Sequence, residues 1–565
     1  MRDEPPARET GGSRRGAWLA VAGRFLTPCY LAAAVLLLAW GAERRFRLPQ
    51  QPLIDPDILG YLGPAISALA GKPFPHLLGR SFPYPAFVYL ILRLFGDFRA
   101  ICVVQHLLGL AAGGLVLLAW NAAVALTPAG GIPRPLFRCL GLLPAYICLG
   151  SATAITFEHE IRPEAIFPFL AILNIWVSLL FLDARFIRRR PAFLWLGALN
   201  VFVSLLIYMA KPSFGFATLF CTLPVWVSLF LPGASARQKA ALAAWALLPG
   251  LLLLFLPEHI LKSGDPTARI FLPETLFTVH AAIIERQMTE DLAGAGPLPY
   301  PRGIVQNAHD LLAVELDKAA HITMPKTYPS LGFNPDYLMY HGSFCAIFPA
   351  RMHFDPQAMA DFCMTYYRRA LLHHPGAMAA KTLRQLAIFY RFANPVYRTS
   401  RNLNLSADHY ARVAELIQNT ARLGPANAAM QRYIAACAPL AAQGIIIPQG
   451  KSLLGWLRLF SVLYLELLGV ALLSPLLLLS PPLRAHFLWL VVALWLAYGY
   501  NFGNSLTIAV VHSLDVARYV RIQMIFTAFA ESLSLGLLVE LVFFRMRAVR
   551  AGAQSRSIPG AEGSK

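Results

Sequence analysis

Ten long apolar runs dominate this chain, and they decide what it can fold into. They lie at residues 18–42, 101–126, 138–156, 164–182, 192–210, 213–231, 239–257, 453–479, 486–511 and 520–544. Each is near the ~20 residues that carry a helix through the hydrocarbon of a bilayer. In that solvent every backbone N–H and C=O must be bonded within the segment, so the runs read as membrane helices. Composition agrees. Of the 565 residues 57% are hydrophobic and 14% charged, and mean hydropathy is +0.53; a soluble domain is roughly half apolar and a quarter charged. The expected fold is mostly α, a polytopic membrane helical bundle of about 10 spans. The first run is too long for a secretory h-region and no small-x-small cleavage site follows it, so it reads as a retained span.

A net charge of +19 raises the question of nucleic acid. The basic residues mostly punctuate the apolar runs instead, which is the positive-inside pattern, so no nucleic-acid partner is expected. Arg185, Arg188, Arg189 and Arg190 mark one cytoplasmic loop. Arg134 and Arg138 mark a second, and Arg237 and Lys239 a third; the tail starting RMRAVR follows the last run. Ten crossings put all of these on the same side as Arg14 and Arg15. Both termini are then cytoplasmic, and residues 43–100, 157–163, 258–452 and 512–519 lie outside. The expected organisation is a membrane module over 1–257 with its first external loop at 43–100, an external domain over 258–452, membrane helices over 453–545 and a tail over 546–565. Residues 81–95, SFPYPAFVYLILRLF, are apolar but short, and counting them as a span would invert every later loop. They read as an interfacial helix. In the external domain, 355–374, 377–391, 406–422 and 426–442 carry apolar residues at helical spacing.

The external loops hold the residues that can carry chemistry. In IDPDILGY, residues 54–61, Asp55 and Asp57 can serve as a general base or bind a divalent metal. They suit equally a helix N-cap and a solvated first turn, with Pro56 at N1. Residues 157–164, FEHEIRPE, offer Glu158, His159 and Glu160 to a metal or sugar and Arg162 to a phosphate. Charge this dense beside a membrane is costly unless paired or used. In GRSFPYP, Arg80 suits a lipid phosphate and Tyr84 an aromatic belt. Lys211 either snorkels or neutralises a phosphate. In HSLDVARYVR, residues 512–521, Arg518 and Arg521 are three apart on one helical face, with Tyr519 between them, a spacing that suits a phosphate clamp.

Cys29, Cys102, Cys139, Cys148 and Cys221 lie in apolar runs and read as inert buried thiols. Cys345, Cys363 and Cys437 lie in the external domain, where one disulfide can form and one thiol is left over. No CxxC or other Cys/His metal spacing stands out. Neither does a nucleotide-binding loop, which argues against an ATP-driven pump.

The layout resembles the GT-C superfamily, membrane glycosyltransferases that use polyprenyl-phosphate or dolichyl-phosphate sugars, among them the protein O-mannosyltransferases and the aminoarabinose transferases of lipid A. The resemblance rests on IDPDILGYLGPA, GRSFPYPAFVYLILRLFG, the acidic FEHEIRPEAIF, ARYVR before the last span and YYRRALLHHPGAMAAKTLRQL. It covers about the first 260 and the last 110 residues, in layout more than in identity. It implies transfer of a sugar on the periplasmic side of the inner membrane, from a polyprenyl-phosphate donor to a lipid, glycan or protein acceptor. An acid in the first external loop, Asp55 or Asp57, would act as base or metal ligand, and the second-loop acid would be Glu158 or Glu160. No cofactor is implied beyond a possible divalent metal. Family members often have adjacent Asp-Glu where this chain has Asp-Pro-Asp. The alternative is a transporter or flippase of a lipid-linked sugar. Transporters show paired broken helices and internal repeats, and neither stands out here.

Overall fold

The apolar runs become helices nearly residue for residue, because a bilayer leaves the backbone no other partner than itself. The structure, a computed structural model, describes residues 14–54, 57–75, 79–128, 131–263, 265, 268, 270–294, 296–321, 327–405, 407–415 and 428–556. The protein is a mostly α polytopic membrane bundle. Among the described residues nine helices are long and apolar enough to cross a membrane. They are Phe25–Phe46, Arg99–Leu126, Phe167–Ile187, Phe193–Ala210, Pro212–Phe230, Ala236–Ser263, Lys451–Leu479, Pro481–Val511 and Met524–Val549.

The run expected at 138–156 is not one straight helix. It is a pair, Arg134–Gly150 and Ala152–His159, bent by 47°. The break falls at Ser151, whose backbone is extended and whose hydroxyl accepts from the Thr153 N–H to cap the second helix. Counted as one span, the pair brings the helices able to cross to ten among the described residues. Residues from the connections after Phe25–Phe46, after the bent pair, after Phe193–Ala210 and before Met524–Val549 touch one another, as described below. These connections meet at one end of the bundle, which agrees with counting the pair once. At the opposite end Arg185 donates to the Pro232 carbonyl at 3.1 Å, joining two of the basic connections.

Polar side chains help hold the helices together where apolar burial gives little drive. Asn174 donates to the Asn200 carbonyl at 3.1 Å and to Ser204 Oγ at 2.9 Å. Tyr464 donates to Asn501 Oδ1 at 2.8 Å, and Asn501 donates to Thr527 Oγ1 at 2.7 Å.

The long polar region has two kinds of packing. Helices Phe271–Val279, Ala281–Ala293, Arg302–His321, Pro335–Tyr340, Phe344–Met352 and Pro356–His373 enclose a core of their own around Phe277, Met288, Phe348, Phe362 and Tyr366. Asp355 caps the last of them through the Ala358 N–H at 2.7 Å. Beyond Pro375–Phe389 the chain instead joins the core of the membrane helices, through Val396, Tyr397, Leu403, Tyr410, Tyr433 and Ile447. Two short strands, β1 (Asn402–Leu405) and β2 (Ile445–Pro448), pair antiparallel with Asn402 opposite Pro448. The helix expected over 426–442 is Ala428–Gln443; of that expected over 406–422, Ala407–Ala411 is helical, and 406 and 416–422 lie outside the described residues. Cys345, Cys363 and Cys437 are free thiols.

Candidate active site

The first connection and the FEHEIRPE turn are stitched together by backbone. The Leu53 N–H donates to the His159 carbonyl at 2.6 Å, and the Ile161 N–H donates to the Leu53 carbonyl at 3.0 Å. Tyr410 donates to the Gln51 carbonyl at 3.1 Å, and Tyr433 donates to the Pro52 carbonyl. The chain then turns into helix Ile58–Leu69, for which Asp57 is the N-cap residue without a side-chain capping bond. Asp55 and Pro56, expected as cap and first turn, lie outside the described residues. The Asp57 carboxylate meets arginine side chains.

Three guanidinium groups from three separate connections converge on it. Arg80 Nη2 is 3.5 Å from Oδ1, while Arg162 Nη2 and Arg518 Nη1 are each 3.4 Å from Oδ2. Aromatic faces support two of them. Arg80 lies over the rings of Tyr61 and Phe271, at 5.1 and 4.7 Å, and Arg518 over Tyr519 at 5.0 Å. Such stacking suits the weakly hydrated, planar guanidinium. Lys211 sits on the other side of Tyr519, 4.8 Å from its ring centre, and pairs with the buried Glu164. Arg80 Nε, Arg518 Nε and Glu164 Oε2 are buried without a hydrogen-bond partner.

The charges respond to this crowding. Burial pushes the Glu164 carboxyl up, but Lys211, Arg162 and Arg518 outweigh it and hold it down at about 2. Burial lowers Arg162 to about 10, with Arg518 adding to the effect; at neutral pH it stays protonated. Burial pushes the Tyr519 hydroxyl up, but Arg518 and Lys211 outweigh it and bring it below the usual phenol range. Glu160 behaves oppositely. Burial, reinforced by the Glu164 charge, pushes it up to about 8, so at neutral pH it holds its proton. Among the described residues the cluster sets four cations, Arg80, Arg162, Arg518 and Lys211, against the carboxylates of Asp57 and Glu164, with Asp336 near enough to feel Arg518 and Asp57. Glu160 and Arg162 also line a cavity of about 320 Å³ with Leu53, Ile54, Thr156, Asn404, Leu405 and His409. That volume is in the range, roughly 300–1,000 Å³, of small-molecule sites.

Several expected site residues stand elsewhere. Glu158 points away from Asp57 into the bundle. Its carboxylate takes both arms of Arg45, at 2.6 and 2.7 Å, and lies 2.7 Å from His106 Nδ1. A carboxylate with both oxygens so occupied inside a protein is a structural ion pair, not an available base. The His159 ring nitrogens lie 3.0 Å from the Ile155 carbonyl and 3.2 Å from the Pro49 carbonyl, away from the arginines. Tyr84 is fully buried rather than interfacial, its hydroxyl bonded to Gln105 Oε1 at 3.0 Å, as a buried tyrosine requires. Arg521 parts from Arg518. It lines a separate small cavity with Gly109, Glu158 and Phe169, and burial, with Arg398 adding to the effect, lowers its pKa.

Sequence reasoning missed Glu164, Tyr61 and the segment around Pro335–Tyr340. From that segment Asp336 bonds Tyr328 and lies 3.8 Å from His512 Nε2. Tyr61 carried a signal, one turn beyond Asp57 in the same stretch. The Asp336 segment carried none, because only folding brings it over the membrane end. A divalent metal does not fit at Asp57: three guanidinium groups already surround its carboxylate, and the nearby Glu164 is paired with Lys211.

Set against known proteins, the chain matches no family model, no curated protein and no solved structure.

Proposed function

We propose that the protein is a membrane glycosyltransferase that moves a sugar from a polyprenyl-phosphate donor to an acceptor hydroxyl on the periplasmic side of the inner membrane. The reading extends the resemblance to the GT-C layout and rests above all on one observation: Arg80, Arg162 and Arg518, from three connections, surround Asp57 with Lys211 beside them. Among the described residues four cations stand against the carboxylates of Asp57 and Glu164, which suits the charge of a phosphodiester. The short helix Pro83–Phe95 serves as the interfacial piece that admits the lipid, with Leu90, Leu94 and Phe95 exposed on one side. Its basic counterparts at the other end of the bundle face the cytoplasm, as do both termini.

The donor phosphate takes the guanidinium groups from Asp57. Asp57, released, accepts the proton of the acceptor hydroxyl as that oxygen bonds to the anomeric carbon. The bond from that carbon to the phosphate oxygen breaks. Its electron pair leaves on the lipid phosphate, whose growing charge the arginines stabilise. Glu160, protonated, donates a hydrogen bond to a sugar hydroxyl in the adjoining cavity. The decisive experiment replaces Asp57 by Asn and measures glycan on extracted acceptors. Loss of product at normal protein level supports the reading, and undiminished product overturns it. A tag after Arg190 that is reachable from outside the cell would overturn the orientation.

A further inference from the structure

A second cluster lies deeper, and the glycosyltransfer reading does not use it. Cys102 and His106 are one helical turn apart near the start of Arg99–Leu126, and His159 ends the helix Ala152–His159. All three are fully buried, and a ligand atom from each lies within 4.8 Å of the other two. Cys102 Sγ is 3.4 Å from His106 Nε2, and the two imidazole rings meet edge to face at 4.7 Å.

The surroundings prepare these atoms for an ion. His106 Nδ1 lies 2.7 Å from Glu158 Oε2, which fixes the ring proton on Nδ1 and leaves the Nε2 lone pair facing Cys102. A carboxylate behind the histidine is the usual support of a metal-binding imidazole. Arg45 holds that carboxylate with two bonds and itself donates to the Gly41 and Leu149 carbonyls. His159 has a carbonyl within reach of each ring nitrogen. A neutral imidazole has one N–H, so one nitrogen of His159 has no proton to give the carbonyl it faces, and that nitrogen takes an ion once the ring turns off the carbonyl.

We infer that Cys102, His106 and His159 form a metal site, and that its ion is monovalent copper. One thiolate and two imidazoles suit a soft ion. Charge selects between the candidates. Glu158 and Arg45 cancel, so Cu(I) on a Cys102 thiolate leaves the site neutral, whereas Zn(II) leaves a net positive charge where burial is costly. Among the described residues no fourth His, Cys or carboxylate ligand joins the group, and structural zinc is almost always four-coordinate. Binding releases the thiol proton, so one H⁺ leaves per ion taken up. The ion would tie the second crossing to the bent pair, below the turn that carries Glu160 and Arg162.

The test loads the detergent-purified full chain with Cu(I) under reducing, oxygen-free conditions, removes loose metal with a Cu(I) chelator and counts copper by mass spectrometry. The expected result is about one copper per chain, falling at least tenfold in Cys102→Ser and remaining in Cys148→Ser, which removes a buried thiol outside the cluster. The melting temperature should rise with copper in the unaltered protein and not in Cys102→Ser. Copper that the chelator strips completely, copper retained in Cys102→Ser, or preferential retention of Zn(II) overturns the inference. If Cys102→Ser does not fold, X-ray absorption on the unaltered protein decides. One sulfur and two nitrogens around copper uphold the site, and an all-sulfur shell overturns it.

Discussion

The same eight-residue turn, 157–164, feeds two charged clusters with opposite characters. On one face Glu158 joins Arg45 and His106 in a closed arrangement, with Arg45 and the carboxylate almost wholly shielded. On the other, Arg162 and Glu164 join Asp57, Arg80, Arg518 and Lys211, where Asp57 and Arg518 keep about a third of their side-chain surface open. Asp57 meets its arginines at 3.4–3.5 Å, longer than the 2.6–2.7 Å of Glu158 with Arg45. The first cluster is balanced and tightly bonded. In the second, Asp57 meets its arginines at longer range, cations outnumber carboxylates among the described residues, and a cavity adjoins. Density of charge in a sequence therefore does not separate a structural ion pair from a binding site; bond saturation and net charge do.

The contrast can be broken by substitution. Glu158→Gln leaves Arg45 as a buried charge without its counter-ion and should cost about 3–5 kcal/mol of stability, read as a large fall in melting temperature or failure to accumulate. A fully stable Glu158→Gln protein would erase the distinction between the clusters. Asp57→Asn should do the reverse, lowering sugar transfer by ~10²–10⁴-fold while shifting stability by no more than about 1 kcal/mol. Gly109 tests the closed cluster sterically. A Cβ there would stand 2.0 Å from Glu158 Oε1, so Gly109→Ala should cost about 1–3 kcal/mol of stability. Arg518→Lys keeps the charge but loses the planar fork, and should raise the donor KM about tenfold, or ~1.4 kcal/mol, with melting unchanged.

The smallest effect concerns Glu160, whose folded carboxyl is raised to about 8 from an ordinary 4.5. Between those values the folded chain holds a proton that the unfolded chain has lost. The stability this proton contributes is present below the ordinary value and is lost as pH rises through about 8. Melting curves from pH 5 to 9 should fall less steeply for Glu160→Gln than for the unaltered protein; equal slopes would place the charge of Glu160 differently.

Much of the fold was legible in the sequence, because a helix in lipid is specified by its own composition. The nine long helices and the bent pair follow the ten apolar runs, and the short helix Pro83–Phe95 falls where prolines open an apolar run too short to cross. The break at Ser151 was not legible, since a single capping serine in an apolar run gives no warning. The candidate site was half legible. Asp57, Arg80, Arg162, Lys211 and Arg518 were named from charges that sit badly beside a membrane, and they meet. Glu158, His159 and Arg521 stand out on the same grounds, and Tyr84 as an aromatic of the interface, and all four are engaged elsewhere. Cys102 and His106 stand one turn apart, a metal-like spacing open to inspection in an apolar run, and the reading of Cys102 as an inert thiol passed over it. Its third member, His159, arrives from a distant helix.

By itself the sequence determined which segments form helices long and apolar enough to cross a membrane, because hydrophobic length acts locally. Only the tertiary structure decided which charges face one another. The turn at 157–164 sends neighbouring side chains to opposite faces, and whether each finds a saturated partner or an open, cation-rich basin depends on helices hundreds of residues away.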